Sequence, residues 1–344
     1  MIVRSMARPT LAAALASIAQ QQDVTAEVLL VAACGPTHPR PATACGSHAL
    51  RFVASDRRLP RPAAANAGLD AARGDWITFL DDDDVFLPDH LVGLLTAARQ
   101  APQARVVTSY AKGVFADGRV EWFGQPFSLA QLHERNFVHL SAAIFARELV
   151  DAGCRFDESL PILEDWEFML QLAHAASAPF HFVPLGSFQW NLDAGDSGAG
   201  GGMNRDAQAF AACRDRVYAK WDAVYAALCA RTQPLLAAAE DLAGRGRFAQ
   251  ADAKVLDALA TSANDPRALA LRAAILRGAG RLADARSVQA LAAAVRPQDG
   301  VFVYNLALLD RDCGDVEAAR RHVRKALSLD PGLAAACDLA AELG

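Results

Sequence analysis

The stretch Trp76-Ile77-Thr78-Phe79-Leu80-Asp81-Asp82-Asp83-Asp84 joins an apolar run to four consecutive carboxylates. The run reads as a buried strand, and the aspartates stand at its end. Four adjacent carboxylates repel one another, so any that is desolvated needs a counter-charge. A hard divalent cation supplies one, because Mg²⁺ and Mn²⁺ prefer carboxylate oxygen and accept phosphate oxygens as further ligands. A second reading is an acidic loop that caps the helix introduced by Pro88. On the tetrad alone the two readings stand level.

The flanking pattern separates them. Ile2-Val3, Glu27 to Val31, Leu50 to Val53 and Arg105 to Thr108 are short β-like runs. They alternate with helical patterns over Pro9 to Gln20, around Asn66 to Leu69, and over Pro88 to about Gln100. This alternation predicts an α/β fold with a mostly parallel sheet covered by helices on both faces. Ligands bind such sheets at the carboxyl ends of the strands. The tetrad lies at one of those ends, which favours the metal.

After Phe188-Gln189-Trp190 comes the glycine-rich run Asp193 to Gly202, read as a loop that either covers a site or simply connects. A helical pattern from Asn204 to about Arg231 places Phe210, Val217, Trp221, Val224 and Leu228 on one face. It is expected to be the closing helix (203–231) of a first domain spanning residues 1–232.

Residues 233–344 are alanine-rich helix, and they repeat. Gly246, Gly280 and Gly314 stand 34 residues apart. Each is followed by an apolar residue (Phe248, Leu282, Val316) and by alanines at matching places (Ala251, Ala285, Ala319; Ala258, Ala292, Ala326). Ala239, Ala273 and Ala307 precede them in register, and Pro266, Pro297 and Pro331 are expected to close the units. The pattern resembles about three tetratricopeptide repeats, in which small residues let paired helices cross closely. Three repeats are near the minimum for a stable stack.

The bulk numbers exclude other classes. A net charge of −5 over 344 residues offers no nucleic-acid surface. Seven scattered cysteines without metal spacing read as reduced thiols. The first residues lack a signal peptide's apolar core, and no apolar run reaches the ~18 residues of a membrane span. The expectation is a cytoplasmic protein, with peripheral attachment at the inner face of a membrane left open.

The residues from Asn66 to Leu91 resemble the core of family 2 glycosyltransferases, which have the GT-A fold, a Rossmann-like mixed sheet flanked by helices. Arg8-Pro9-Thr10-Leu11 and Ala14 to Gln20 resemble that family's first helix. Phe156-Asp157-Glu158 and Glu164-Asp165-Trp166-Glu167-Phe168 resemble its acceptor-side acidic motif. The resemblance covers residues 1 to about 200. It implies inverting transfer from a nucleotide-sugar donor, a UDP-sugar first of all, to a hydroxyl of a glycan or protein acceptor, assisted by Mn²⁺ or Mg²⁺. A surface-polysaccharide or glycoprotein role follows from the same resemblance. The repeats would recruit an acceptor or a protein partner.

The resemblance also assigns roles. Asp83 would hold the metal, with Asp81 and Asp82 on the donor ribose or sugar and Asp84 capping the next helix. Asp165 would be the base that takes the acceptor proton, and Glu164 an orienting partner or acceptor ligand. Arg4, Ser5, Arg61 and Asn66 would face the donor. Trp190 would stack on a sugar or pack beneath the loop, and His139 would lie near the acceptor cleft or in the core. Two departures stand out. No aspartate follows the second strand to read a nucleobase, since that region is Val31-Ala32-Ala33-Cys34-Gly35. No histidine stands between residues 182 and 321 as a further metal ligand, which leaves Asp193 or Asp196 as substitutes. These gaps support the alternative of a catalytically inactive, repeat-containing adaptor.

Overall fold

The structure is a computed structural model that describes residues 1–176, 179–192 and 206–344. The chain divides into two compact units, residues 1–124 with 135–220 and residues 125–134 with 221–344.

The first unit opens with β1 (Ile2–Ser5), α1 (Leu11–Ala19), β2 (Glu27–Ala32), the short β3 (Ala44–Cys45), β4 (His48–Val53) and α2 (Arg61–Ala71). Side-chain alternation along β1 sends Val3 and Ile2 to opposite faces of the sheet. Val3 packs with Val28, Leu30 and Ile18 of α1. Ile2 lies against α2, so close that a Cβ on Gly68 would come within 2.4 Å of it. Both faces are thereby covered, and Ile2, Val3 and Val28 to Val31 are all at 0% exposure.

The apolar run Trp76 to Leu80 is not one strand. It is β5 (Trp76–Ile77) and β6 (Phe79–Asp81), interrupted at Thr78. Thr78 bridges two sheets: its carbonyl accepts from Ile2 N at 2.9 Å, and its hydroxyl donates to Ala143 O at 2.8 Å. Next come β7 (Val85–Phe86), α3 (His90–Gln100), β8 (Val106–Thr108), and the hairpin β9 (Ala111–Val114) and β10 (Val120–Phe123). After α4 (Leu129–Glu134), which belongs to the second unit, come β11 (Ala143–Ala146), α5 (Arg147–Asp151), α6 (Glu164–Ala175), β12 (His181–Phe182) and β13 (Phe188–Asn191).

One five-stranded sheet has the order β3-β4-β2-β1-β6, parallel except for β3. Two four-stranded sheets, β10-β9-β13-β7 and β12-β8-β11-β5, mix parallel and antiparallel pairs. The single mostly parallel sheet expected from the alternation is therefore only the first of three. The register pairs Arg4 with Asp81 across β1 and β6, so both side chains stand at the carboxyl ends of adjacent parallel strands.

The expected closing helix near residue 231 is instead α7 (Ala207–Gly244), 38 residues long with Pro234 inside it. A proline there removes one backbone bond without ending the helix. Cys213, Val217 and Leu228 form its buried stripe, while Phe210 and Val224 remain more than a third exposed. The glycine-rich run from Asp193 to Gly202, with the proposed ligands Asp193 and Asp196, lies outside the described residues.

The second unit continues with α8 (Phe248–Thr261), α9 (Pro266–Gly278), α10 (Leu282–Val295), α11 (Gly300–Asp312), α12 (Val316–Leu329) and α13 (Ala334–Leu343), which pack mainly on their chain neighbours. The repeated glycines are in the left-handed region, at φ 72, 74 and 82°, and end one helix before the next begins. All nine column alanines are at 2% exposure or less, because they occupy the crossings between paired helices. Pro266 does not close a unit; it opens α9 behind an Asp265 cap. Within this unit Asp310 is fully buried and accepts from Arg286 Nε and His322 Nδ1, each at 2.6 Å. The seven cysteines are unpaired, and no helix among the described residues is long and apolar enough to cross a membrane.

Candidate active site

A cavity of about 360 Å³ in the first unit is lined by Arg4, Arg61, Asp81, Asp83, Asp84, Asn136, His139, Glu164, Asp165 and Trp190, with Phe123 and Asn191 beside them. Seven of the ten residues expected at the site thus share one cavity. Ser5, Asn66 and Asp82 do not line it.

The tetrad divides at the turn that follows β6. Asp81, the last residue of the strand, and Asp83, in the turn, line the cavity, while Asp82 points into the β1–α1 loop. Asp82 is fully buried and accepts from Ser5 Oγ at 3.0 Å, Met6 N at 2.7 Å and the Arg8 guanidinium at 2.5 Å. Ser5 Oγ in turn accepts from Ala7 N and meets His38 Nε2 at 2.8 Å. Both residues hold that loop together. Asn66 lies five residues, about 140° of helix, beyond Arg61 on α2. It clamps Phe156, accepting from its N at 2.9 Å and donating to its O at 3.0 Å.

Asp84 does not cap α3, whose N-cap residue is Asp89. Its carboxylate accepts from Asn191 N at 3.0 Å and joins the cavity cluster. Asp81, Asp83 and Asp84 bring carboxylate oxygens within 4.8 Å of one another. Their protonation follows from their partners. Desolvation would raise Asp81, but Arg4 and Arg61 hold it below the usual range. Burial and the neighbouring Asp81 push Asp83 up to about 6, although Arg8 stands 3.6 Å away. Burial and both neighbours raise Asp84 well above the usual range. An all-oxygen donor set with uncompensated charge fits a hard divalent ion. Asp83 is the least internally paired of the three.

Arg4 grips Asp81 with two hydrogen bonds of 2.8 Å and presents its third nitrogen, Nη1, to Glu164 at 3.6 Å. Glu164 also has Arg61 Nε at 3.2 Å. Glu164 is at 0% exposure, yet neither of its oxygens accepts a hydrogen bond among the described residues, and Arg4 Nη1 likewise donates none. Burial raises the Glu164 carboxyl, the two arginines oppose the rise, and Asp165 adds to it. Glu164 is therefore held by charge, from Arg4 and Arg61, with hydrogen-bonding capacity unused on it and on Arg4 Nη1 among the described residues.

Glu164 and Asp165 open α6, and the residue before them, Leu163, has φ 61°. A left-handed conformation costs a branched residue about 1–2 kcal/mol, and here it turns the helix start toward the cavity. Asp165 Oδ1 accepts from Trp166 N at 2.8 Å and Oδ2 from Asn136 Nδ2 at 3.2 Å. Asn136 Oδ1 accepts from Val138 N, which fixes the amide's orientation. Sequence reasoning missed Asn136 and Arg8 as functional candidates. Asn136 reads only as a turn residue, and its partner lies 29 positions away.

Residues 4–145 match the family model described as glycosyl transferase family 2. These residues form a family 2 glycosyltransferase domain. Over 174 residues the chain is 32% identical to the succinoglycan biosynthesis protein ExoO of Rhizobium meliloti (strain 1021), which covers 46% of this chain and 50% of that protein. The chain spans about half the length of the curated relatives it matches. Among solved structures, S. aureus TarS 1-349 aligns with 99% of this chain and 88% of its own at 13% identity and a TM-score of 0.45. The Sgt2 TPR domain from Aspergillus fumigatus aligns with 33% of this chain and 76% of its own at 20% identity and a TM-score of 0.31. The glycosyltransferase match includes Arg4, Arg61 and the tetrad and ends in β11, before Asp165.

Proposed function

We propose that the protein transfers a sugar, with inversion, from a nucleotide-sugar donor to an acceptor hydroxyl during synthesis of a polysaccharide, as the succinoglycan relative suggests. The observation that carries this reading is the sharing of one cavity by the Asp81–Asp83–Asp84 cluster and by Asp165. A divalent ion bound to that cluster would neutralise charge developing on the departing diphosphate. Asp83 and Asp84 are the residues to hold it, with Asp81 fixed beside them by Arg4. Arg61, at the first position of α2, extends positive charge toward the donor.

On the acceptor side Asp165 takes the proton as the hydroxyl oxygen attacks. Asn136 and the Trp166 amide hold its two oxygens, leaving the carboxylate's remaining lone pairs for the substrate. Glu164, paired with Arg4 and Arg61, lies beside Asp165 in the cavity wall and orients it from the helix start. The repeat unit, with its 34-residue period, is suited to holding a protein partner or the acceptor.

Hydrolysis of UDP-, GDP- and dTDP-sugars with Mn²⁺ tests the reading in wild type, Asp83→Asn and Asp165→Asn. Activity in wild type and its loss in both variants is expected. No turnover of any donor, with the fold intact, would leave the adaptor reading in its place.

A further inference from the structure

His139 stands just before the single turn Leu140–Ala142, half-buried in the cavity wall. Its ring is held between aromatic neighbours, with centroids 4.6 Å from Phe188 and 5.1 Å from Trp190. Phe123, also on the wall, lies 6.4 Å from Trp190. Nδ1 of His139 accepts the backbone N–H of Ser141 at 3.2 Å. A neutral imidazole that accepts through Nδ1 carries its one proton on Nε2. Protonation would set a second N–H against the Ser141 N–H, so the local geometry favours the neutral ring. Burial acts the same way and pushes His139 down to about 4, even though Asp165 and Asp81 pull upward. Nε2 has no hydrogen-bond partner among the described residues and remains accessible.

We propose that His139 is a specificity-determining residue whose neutral Nε2–H donates to a hydroxyl of an acceptor saccharide packed against Trp190. The inference rests on the glycosyltransferase reading and deepens it by naming the acceptor class. A pyranose presents C–H groups on its faces and hydroxyls at its edge. This wall offers the matching pair, aromatic faces from Trp190 and Phe123 and a polar rim from His139, Glu164 and Asp165. The roles divide by chemistry. Asp165 can accept the proton of the reacting hydroxyl, while Nε2–H can only donate and so must take a different oxygen of the same sugar. A lone serine or threonine hydroxyl would satisfy Asp165 and leave Nε2–H without a partner.

The test is saturation-transfer NMR on the full chain, without donor, with a panel of methyl hexopyranosides and their monodeoxy analogues. Wild type is expected to bind at least one glycoside and to lose about tenfold in affinity when one particular hydroxyl is removed, the net worth of a single hydrogen bond. His139→Phe should weaken the parent glycoside about tenfold and no longer distinguish that deoxy analogue. His139→Gln, which restores an N–H donor, should recover part of the discrimination. If the phenylalanine is not accommodated, His139→Leu removes the same donor. Unchanged deoxy discrimination without the imidazole, or no glycoside bound by wild type, overturns the proposal. Failure of wild type to hydrolyse any nucleotide sugar with Mn²⁺ is a separate result and overturns the glycosyltransferase reading itself.

Discussion

The same substitution, Asp→Asn, is expected to act in opposite directions at two adjacent residues. Asp82 is at 0% exposure and takes hydrogen bonds from Ser5, from Met6 N and from both the backbone and the guanidinium of Arg8. An asparagine there turns one acceptor oxygen into a donor facing other donors, and it strips Arg8 of its counter-charge. Breaking one partner of a buried pair costs about 3–5 kcal/mol. Arg8 is 21% exposed and keeps Asp83 at 3.6 Å, so the low end applies, about 3 kcal/mol. Asp83 carries the reverse penalty. Desolvation and the neighbouring Asp81 raise it from the usual 3.8 to about 6. An acid raised by folding binds more protons in the native state between those two values. Stability therefore falls as pH climbs from about 4 to 6, and the penalty is complete above that window. At about 1.4 kcal/mol per pH unit the ceiling is near 3 kcal/mol, which solvent screening reduces to about 1–2 kcal/mol. In EDTA at pH 7.5, Asp83→Asn should thus stabilise the first unit by about 1–2 kcal/mol while abolishing cation-dependent turnover. Urea unfolding followed by tryptophan fluorescence reads this unit, which holds Trp76, Trp122, Trp166 and Trp190. Equal losses of stability in the two variants, or an Asp82→Asn protein as stable as wild type, would refute the reasoning.

Other sites give distinct readouts. His90 is fully buried between Ser187 Oγ and Ser141 O, and desolvation pushes it down to about 3. The unfolded chain then binds the extra proton below pH 6.5, so stability should fall with acidification at up to about 1.4 kcal/mol per pH unit, and His90→Gln should flatten that slope in urea titrations. Asn136→Ala should lower kcat about tenfold with little change in KM, because it loosens the base rather than the substrate; an equal rise in KM would argue against a positioning role. Asp310→Ala removes the shared partner of Arg286 and His322. Both are partly exposed and can rehydrate, so the expected loss is about 2–3 kcal/mol in thermal unfolding of the second unit, with donor hydrolysis retained.

The parts of this protein that repeat or alternate are legible in the sequence. The glycine period and its alanine columns predict buried helix crossings, and the columns are buried to the last residue. The strand before the tetrad is legible in place but not in pairing. Its four apolar residues look alike, while the decision to change sheets is made at Thr78 between them by partners at Ile2 and Ala143, 76 and 65 residues away. The candidate site shows the same limit. Residue type marks Arg4, Arg61, Asp81, Asp83, Glu164, Asp165 and Trp190 as candidates, and all of them line the cavity. Type cannot say that Asp82 and Ser5 turn toward each other, because only the register of β1 against β6 decides that. Asn136 sits in a segment without periodicity, so nothing local distinguishes it from a turn residue, whereas residue type already offered His139 for the acceptor cleft or the core, and it lines the cavity.

Charge alternation organises what remains. Asp81, Arg4, Glu164 and Arg61 form a chain of alternating sign along the cavity, each cation touching two carboxylates or extending past the last one. Two negative positions fall outside that chain. One is Asp83 with Asp84, whose carboxyls are raised by burial and by the neighbouring aspartates, against the weaker opposition of Arg8 on Asp83 and of Arg4 on Asp84. The other is Asp165, whose side-chain partner is the neutral amide of Asn136. These are the two positions that the proposed reaction assigns to the cation and to the base. A cation at the first place would favour the ionised forms of Asp83 and Asp84 and relieve their mutual repulsion. On the proposed mechanism an arginine moved onto Asp165 would oppose its role as base, and that reading is served by the pairing of Arg4 and Arg61 with Glu164 instead.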